Sequence, residues 1–141
     1  MDYFKIDSIE ALGSTLLLGV FVGGALINLI YWNNAKEYIR SQGYVNNATF
    51  VLIAGVFWQL LGIALLAIPS MVEIGCIVLI LFVFVSTLKF YQFWNKEGLD
   101  RYKSMLNFLS NLGVMGGLFL LLTQTQLHKF PFSFDFINKF Y

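Results

Sequence analysis

Residues 77–85 read Ile77-Val78-Leu79-Ile80-Leu81-Phe82-Val83-Phe84-Val85, an apolar run with no polar interruption. A barrel strand crossing lipid alternates apolar and polar positions, and this run does not. Lipid offers no partners for backbone N–H and C=O groups, so such a segment satisfies them internally, as a helix. Followed outward, the apolar stretch extends from about Val72 to Trp94. Its charges, Glu73 and Lys89, sit near the two ends, from which long side chains reach the interface. That length suffices for a hydrocarbon core, which takes roughly 20 helical residues to cross.

Three further stretches have the same character: approximately Ile9 to Trp32, Ala48 to Pro69 and Met105 to Leu127. Little more than Pro69 and Ser70 separates the second from the third, so these two are expected to be antiparallel neighbours. Between the first and second, Ala35, Tyr38 and Ile39 share one helical face while Lys36, Glu37 and Arg40 fall elsewhere. That is the pattern of a short interfacial helix. The connection from Asn95 to Ser104 gathers Lys96, Glu97, Asp100, Arg101 and Lys103. In the tail from His128 to Tyr141, Phe130, Phe132, Phe134 and Phe136 recur at alternate positions, which suits the headgroup level. The expected architecture is all-α: residues 1–141 form a single transmembrane domain, an integral membrane four-helix bundle with a short interfacial helix between helices 1 and 2.

Composition supports this reading. Of the 141 residues 58% are hydrophobic and only 12% charged, where soluble domains carry about 25% charged residues. A soluble chain this short leaves too much surface in water to hide so much apolar area. The net charge of +1 offers no basic face, which argues against nucleic acid as a partner. Asp2, Asp7 and Glu10 outweigh Lys5 at the N-terminus, so the first apolar segment is not expected to be a cleaved signal. The first-to-second and third-to-fourth connections, with Lys89, hold Lys36, Arg40, Lys89, Lys96, Arg101 and Lys103, against Lys5, Lys129 and Lys139 on the other side. The positive-inside rule then places both termini outside the cytoplasm. Gly19 and Gly23 form one GxxxG pair and Gly113 and Gly117 another, and both are expected to bring helices close within the bundle.

No catalytic signature stands out. Cys76 is the only cysteine and His128 the only histidine. A disulfide or a cysteine-based metal site within one chain is therefore excluded. No nucleophile elbow or phosphate-cradling loop is present. What remains is a set of polar and aromatic groups in or near the apolar helices: Asn28, Trp58, Gln59, Tyr91, Gln92, Trp94, Asn107 and Asn111. An unpartnered amide in lipid is costly. The simplest reading is a cluster of hydrogen bonds between helices. The alternative is a pocket for a quinone headgroup or a lipid, with Trp58, Tyr91 and Trp94 as aromatic walls.

Several segments carry a family likeness. Lys89-Phe90-Tyr91-Gln92-Phe93-Trp94 stands at the end of helix three, Asn107-Phe108-Leu109-Ser110-Asn111 precedes Gly116-Gly117, and Tyr38-Ile39-Arg40-Ser41-Gln42-Gly43-Tyr44 lies between helices one and two. In order and spacing, across roughly Leu16 to Leu122, the chain resembles the DoxX family of small four-helix bacterial membrane proteins. The departures are all of one kind. A family Lys falls at Asn28 and a family Glu at Gln59. A His and Asp of helix three fall at Tyr91 and Gln92, and those of helix four at Asn107 and Ser110. Amides do not titrate, so proton or charge transfer through these positions is lost. The resemblance implies a bacterial inner-membrane protein, a non-catalytic accessory or structural subunit of a membrane complex. Its surroundings would be membrane lipid and a membrane-protein partner or further copies of itself. A quinone-linked oxidoreductase subunit, with quinone as its cofactor, and a small-molecule transporter are the alternatives.

Overall fold

The computed structural model describes the backbone of residues 3–129 and the side chains of Ile9 and residues 11–125. Five α-helices follow one another: α1 (Tyr3–Ile30), α2 (Trp32–Ser41), α3 (Ala48–Leu66), α4 (Val72–Phe90) and α5 (Gly98–Lys129). Short 3-10 turns, Pro69–Met71 and Phe93–Asn95, lead into α4 and follow it. Four of the helices, all but α2, are long and apolar enough to cross a membrane. The aromatic tail expected from His128 onward falls outside the described residues, except for the two backbone positions that end α5.

Helices α1, α3 and α4 are apolar on every side, which in water would leave nothing to face the solvent. Their outward faces carry large bare side chains, among them Ile30 at 72% exposure, Phe50 at 74% and Phe57 at 67%. Patches of this extent mark a surface that meets lipid or protein rather than water. The chain is an integral, multi-pass membrane protein.

The α3–α4 pair is the most intimate. Gly75 lies against the Leu66 backbone, Gly62 against Leu79, and Gly55 faces Phe82. Positions rise on one helix as they fall on the other, so the two run antiparallel. The approach is set by missing side chains: a Cβ on Gly75 would sit 2.8 Å from the Leu66 nitrogen. Leu79 fills the centre, fully buried with Phe21, Val83 and Leu118 of α1, α4 and α5 around it.

The glycines that bring helices together differ from the pairs the GxxxG pattern suggested. A Cβ added to Gly19, Gly23 or Gly113 meets nothing within 4 Å, and only Gly117 approaches a neighbour, Leu17. Three of the four therefore sit on open helix faces. The spacing rule registers glycines four apart on one face but carries no information on which way that face turns.

A short helix does follow α1, as α2, and its Ile39 packs with Ala48, Leu52 and Val56 of α3. Its end is a Schellman turn. Gly43 takes φ +102°, its N–H donates to the Arg40 carbonyl at 3.0 Å, and the Tyr44 N–H reaches Ile39 at 3.4 Å. A left-handed residue at this position favours glycine. The turn sends the chain back into α3, against which α2 packs. At the other junction, α5 begins at Gly98 rather than near Met105, so most of the charged connection is the first turns of a helix.

Candidate functional site

Beneath α2 the five helices line a half-open cavity of about 300 Å³. It is built where the C-terminal ends of α1 and α4 meet the N-terminal halves of α3 and α5, and α2 contributes Ala35, Tyr38 and Ile39. Most of the wall is aliphatic and aromatic. The polar groups are Asn28, Tyr38, Gln59, Ser86, Tyr91 and Asn111. No Asp, Glu, Lys, Arg or His among the described residues lines it. Among the described residues no group of three His, Cys, Asp or Glu side chains gathers anywhere to hold a metal.

Gln59 is the deepest of these groups. It lies eleven residues into α3, about 17 Å along the axis at 1.5 Å per residue. Its Nε2 donates to the Phe21 carbonyl of α1 at 2.7 Å. Gly24 makes the contact possible, because a Cβ there would stand 3.0 Å from that nitrogen. On the opposite wall Asn111 of α5 donates to the Thr87 hydroxyl of α4 at 2.8 Å. Ser86 turns its hydroxyl back on its own helix, 2.6 Å from the Phe82 carbonyl and 3.1 Å from that of Val83. Asn28 is half-buried and makes no side-chain hydrogen bond among the described residues.

The mouth is tied at one atom. The Phe90 carbonyl, near the end of α4, accepts from the Tyr38 hydroxyl at 3.2 Å and from Lys96 Nζ at 3.4 Å. Lys96 also donates to Ser104 of α5 at 2.9 Å. The last carbonyls of a helix lack partners within it, and here α2 and the α4–α5 connection supply them. Tyr38 and Tyr44 also set their rings against Phe90. Burial, with Tyr91 beside it, pushes the Tyr38 phenol up to about 12, so it remains a neutral donor.

Of the eight residues singled out in the sequence, Asn28, Gln59, Tyr91 and Asn111 line this cavity. The other four do not. Trp58 points to α4, where its indole donates to the Val78 carbonyl at 3.0 Å and its ring meets the edge of Phe82. Trp94 meets Phe93 and Phe108 edge-to-face outside the cavity. Gln92 caps α4 by donating to the Leu88 carbonyl at 2.7 Å, and Asn107 is exposed. Tyr38, Ser86 and Gly24 were missed. Ser86-Thr87, the only hydroxyl pair in the α4 apolar run, and the doubled Gly23-Gly24 were the available signals.

Fold and cavity define a polytopic helical membrane protein with an uncharged, partly polar intramembrane chamber. The family model for the SURF4 family matches residues 5–138. The chain belongs to the SURF4 family. No curated protein and no solved structure matches it. The DoxX resemblance is thereby corrected: the family is a different one. The shared segments are short aromatic and polar stretches at the ends of α2 and α4 and inside α5. Any small bundle in a bilayer needs such anchors, so they discriminate poorly between families.

Proposed function

We propose that this protein holds an uncharged amphiphilic molecule in the chamber beneath α2, as a non-catalytic accessory component of its membrane. The observation that carries this reading is the lining itself. Apolar walls surround six hydrogen-bonding groups, with no carboxylate, ammonium, guanidinium or imidazole among them. Ligand sites of this type are mostly apolar with a few placed polar groups that fix orientation. A charged ligand would enter a low-dielectric space with no counter-charge, which is expensive. Quinones, long-chain alcohols and neutral glycerolipids belong to the class that fits. Proton-coupled transport calls for a titratable carboxylate or histidine inside the membrane, and the cavity wall offers none.

On the same reading α2 lies at the membrane interface, with Lys36, Glu37 and Arg40 toward water. The six-to-three bias of Lys and Arg supports placing this end in the cytoplasm.

The test is purification in mild detergent followed by mass spectrometry of what the protein retains. One uncharged amphiphile per chain, enriched over the membrane extract, supports the proposal. A chain carrying only bulk phospholipid overturns it.

A further inference from the structure

We infer that the bound amphiphile has a long hydrocarbon chain, which leaves the chamber along the seam between α1 and α5 and lies in a second cavity there. The inference rests on the reading of the chamber as an amphiphile site and adds where the apolar part of that molecule goes.

The second cavity, about 540 Å³, runs between residues 9–20 of α1 and 110–124 of α5. Val20 and Val114 line both it and the chamber beneath α2. The two spaces therefore adjoin along one seam, although they differ in chemistry. The chamber holds the amides and phenols, whereas the only polar side chains along the groove are Ser14, Ser110 and Gln124. Among the described residues no charged side chain lines either space.

Missing side chains keep the seam open. Gly13 and Gly113 both line the groove, and a Cβ on either meets nothing within 4 Å. The helices come close at Gly117, where a Cβ would stand 3.3 Å from Leu17. Leu17 and Val114 also pack against the central cluster around Leu79, so they form a floor rather than a plug. The rim is bare: Leu16 and Leu120 are 63% and 69% exposed. A chain lying there is reached sideways from the bilayer.

The length fits as well. Ile9 lies eleven residues before Val20, about 17 Å along α1 at 1.5 Å per residue. One leaflet is half of a hydrocarbon core roughly 30 Å thick. A polar chamber that opens on a leaflet's length of apolar trough divides space as an amphiphile divides its own atoms. A compact polar solute would leave the groove unused. Bulk lipid would fill the groove without placing a head in the chamber.

The experiment uses two uncharged probes with one head, 1-O-hexylglycerol and 1-O-hexadecylglycerol, counted on the full chain in detergent by native mass spectrometry. Gly13→Phe and Leu121→Trp fill the far end of the groove from opposite walls. Melting curves check folding, and where one variant fails to fold the other carries the test. The wild type is expected to bind both probes. Each variant should bind the hexyl probe as the wild type does and the hexadecyl probe roughly tenfold more weakly, since forcing a chain past a filled site is overpacking. Unchanged hexadecyl binding in a folded variant, equal loss of both probes, or a wild type that takes only the hexyl probe overturns the groove and leaves the chamber standing. Binding of neither probe by the wild type overturns both.

Discussion

Gln59 and Phe21 join α3 to α1 through one bond, 2.7 Å from side-chain nitrogen to backbone carbonyl, at a depth where lipid supplies no alternative donor. Gly24, one helical turn beyond Phe21, is the gap through which the amide arrives. The same contact depends on Gln59, which supplies the donor, and on Gly24, which leaves room for it.

Because one contact serves both, Gln59→Leu and Gly24→Ala should act on the same interaction. Interhelical hydrogen bonds in membrane proteins average about 0.6 kcal/mol, so each variant is expected to lose on the order of 1 kcal/mol. The double variant should lose little more than either alone, since residues in contact are not additive. Unfolding in detergent across the four-protein cycle measures this.

Gly75 and Gly62 hold α3 and α4 at close approach, while Gly19, Gly23 and Gly113 face open space. Gly75→Ala pushes a methyl against the Leu66 backbone, which cannot swing aside as a side chain can. The expected loss is about 1–3 kcal/mol, as for other overpacked sites. Alanine at 19, 23 or 113 should be neutral or stabilising by up to about 1 kcal/mol, from helix propensity alone. Melting temperatures of the four single variants separate the two groups.

The Tyr38 phenol is held neutral, with its pKa raised to about 12 by burial first and by Tyr91 second. Its stabilising contribution is therefore complete below the unfolded value near 10 and declines as pH rises from about 10 to 12. Tyr38→Phe should lack that alkaline component. Comparing stability curves of the two proteins from pH 8 to 12 checks it, and identical curves would contradict the assignment.

The membrane-spanning helices were legible because their signal is additive: every residue of Ile77–Val85 argues for lipid independently of its neighbours. The lining of the candidate cavity was half legible. Asn28, Gln59, Tyr91 and Asn111 are conspicuous as polar groups in apolar runs, and each does line the cavity. Trp58, Gln92, Trp94 and Asn107 are equally conspicuous yet are turned elsewhere. The difference lies in helix rotation, which helices that are apolar all round do not encode in their hydrophobic pattern. The same blindness assigned the GxxxG glycines to internal packing. Tyr38 and Ser86 were overlooked because their role depends on the Phe90 and Phe82 carbonyls, backbone atoms with no sequence identity at all.

The most direct test of the cavity is to fill it. Gly55 lines it, and a Cβ there meets only Phe82, at 4.0 Å. Wild-type protein and Gly55→Phe would be purified side by side in mild detergent, with melting curves as the folding control and mass spectrometry of the retained molecules as the readout. An amphiphile site beneath α2 predicts about one uncharged molecule per wild-type chain and its loss from a Gly55→Phe chain that melts normally. Equal retention by both proteins, or none by the wild type, would contradict it.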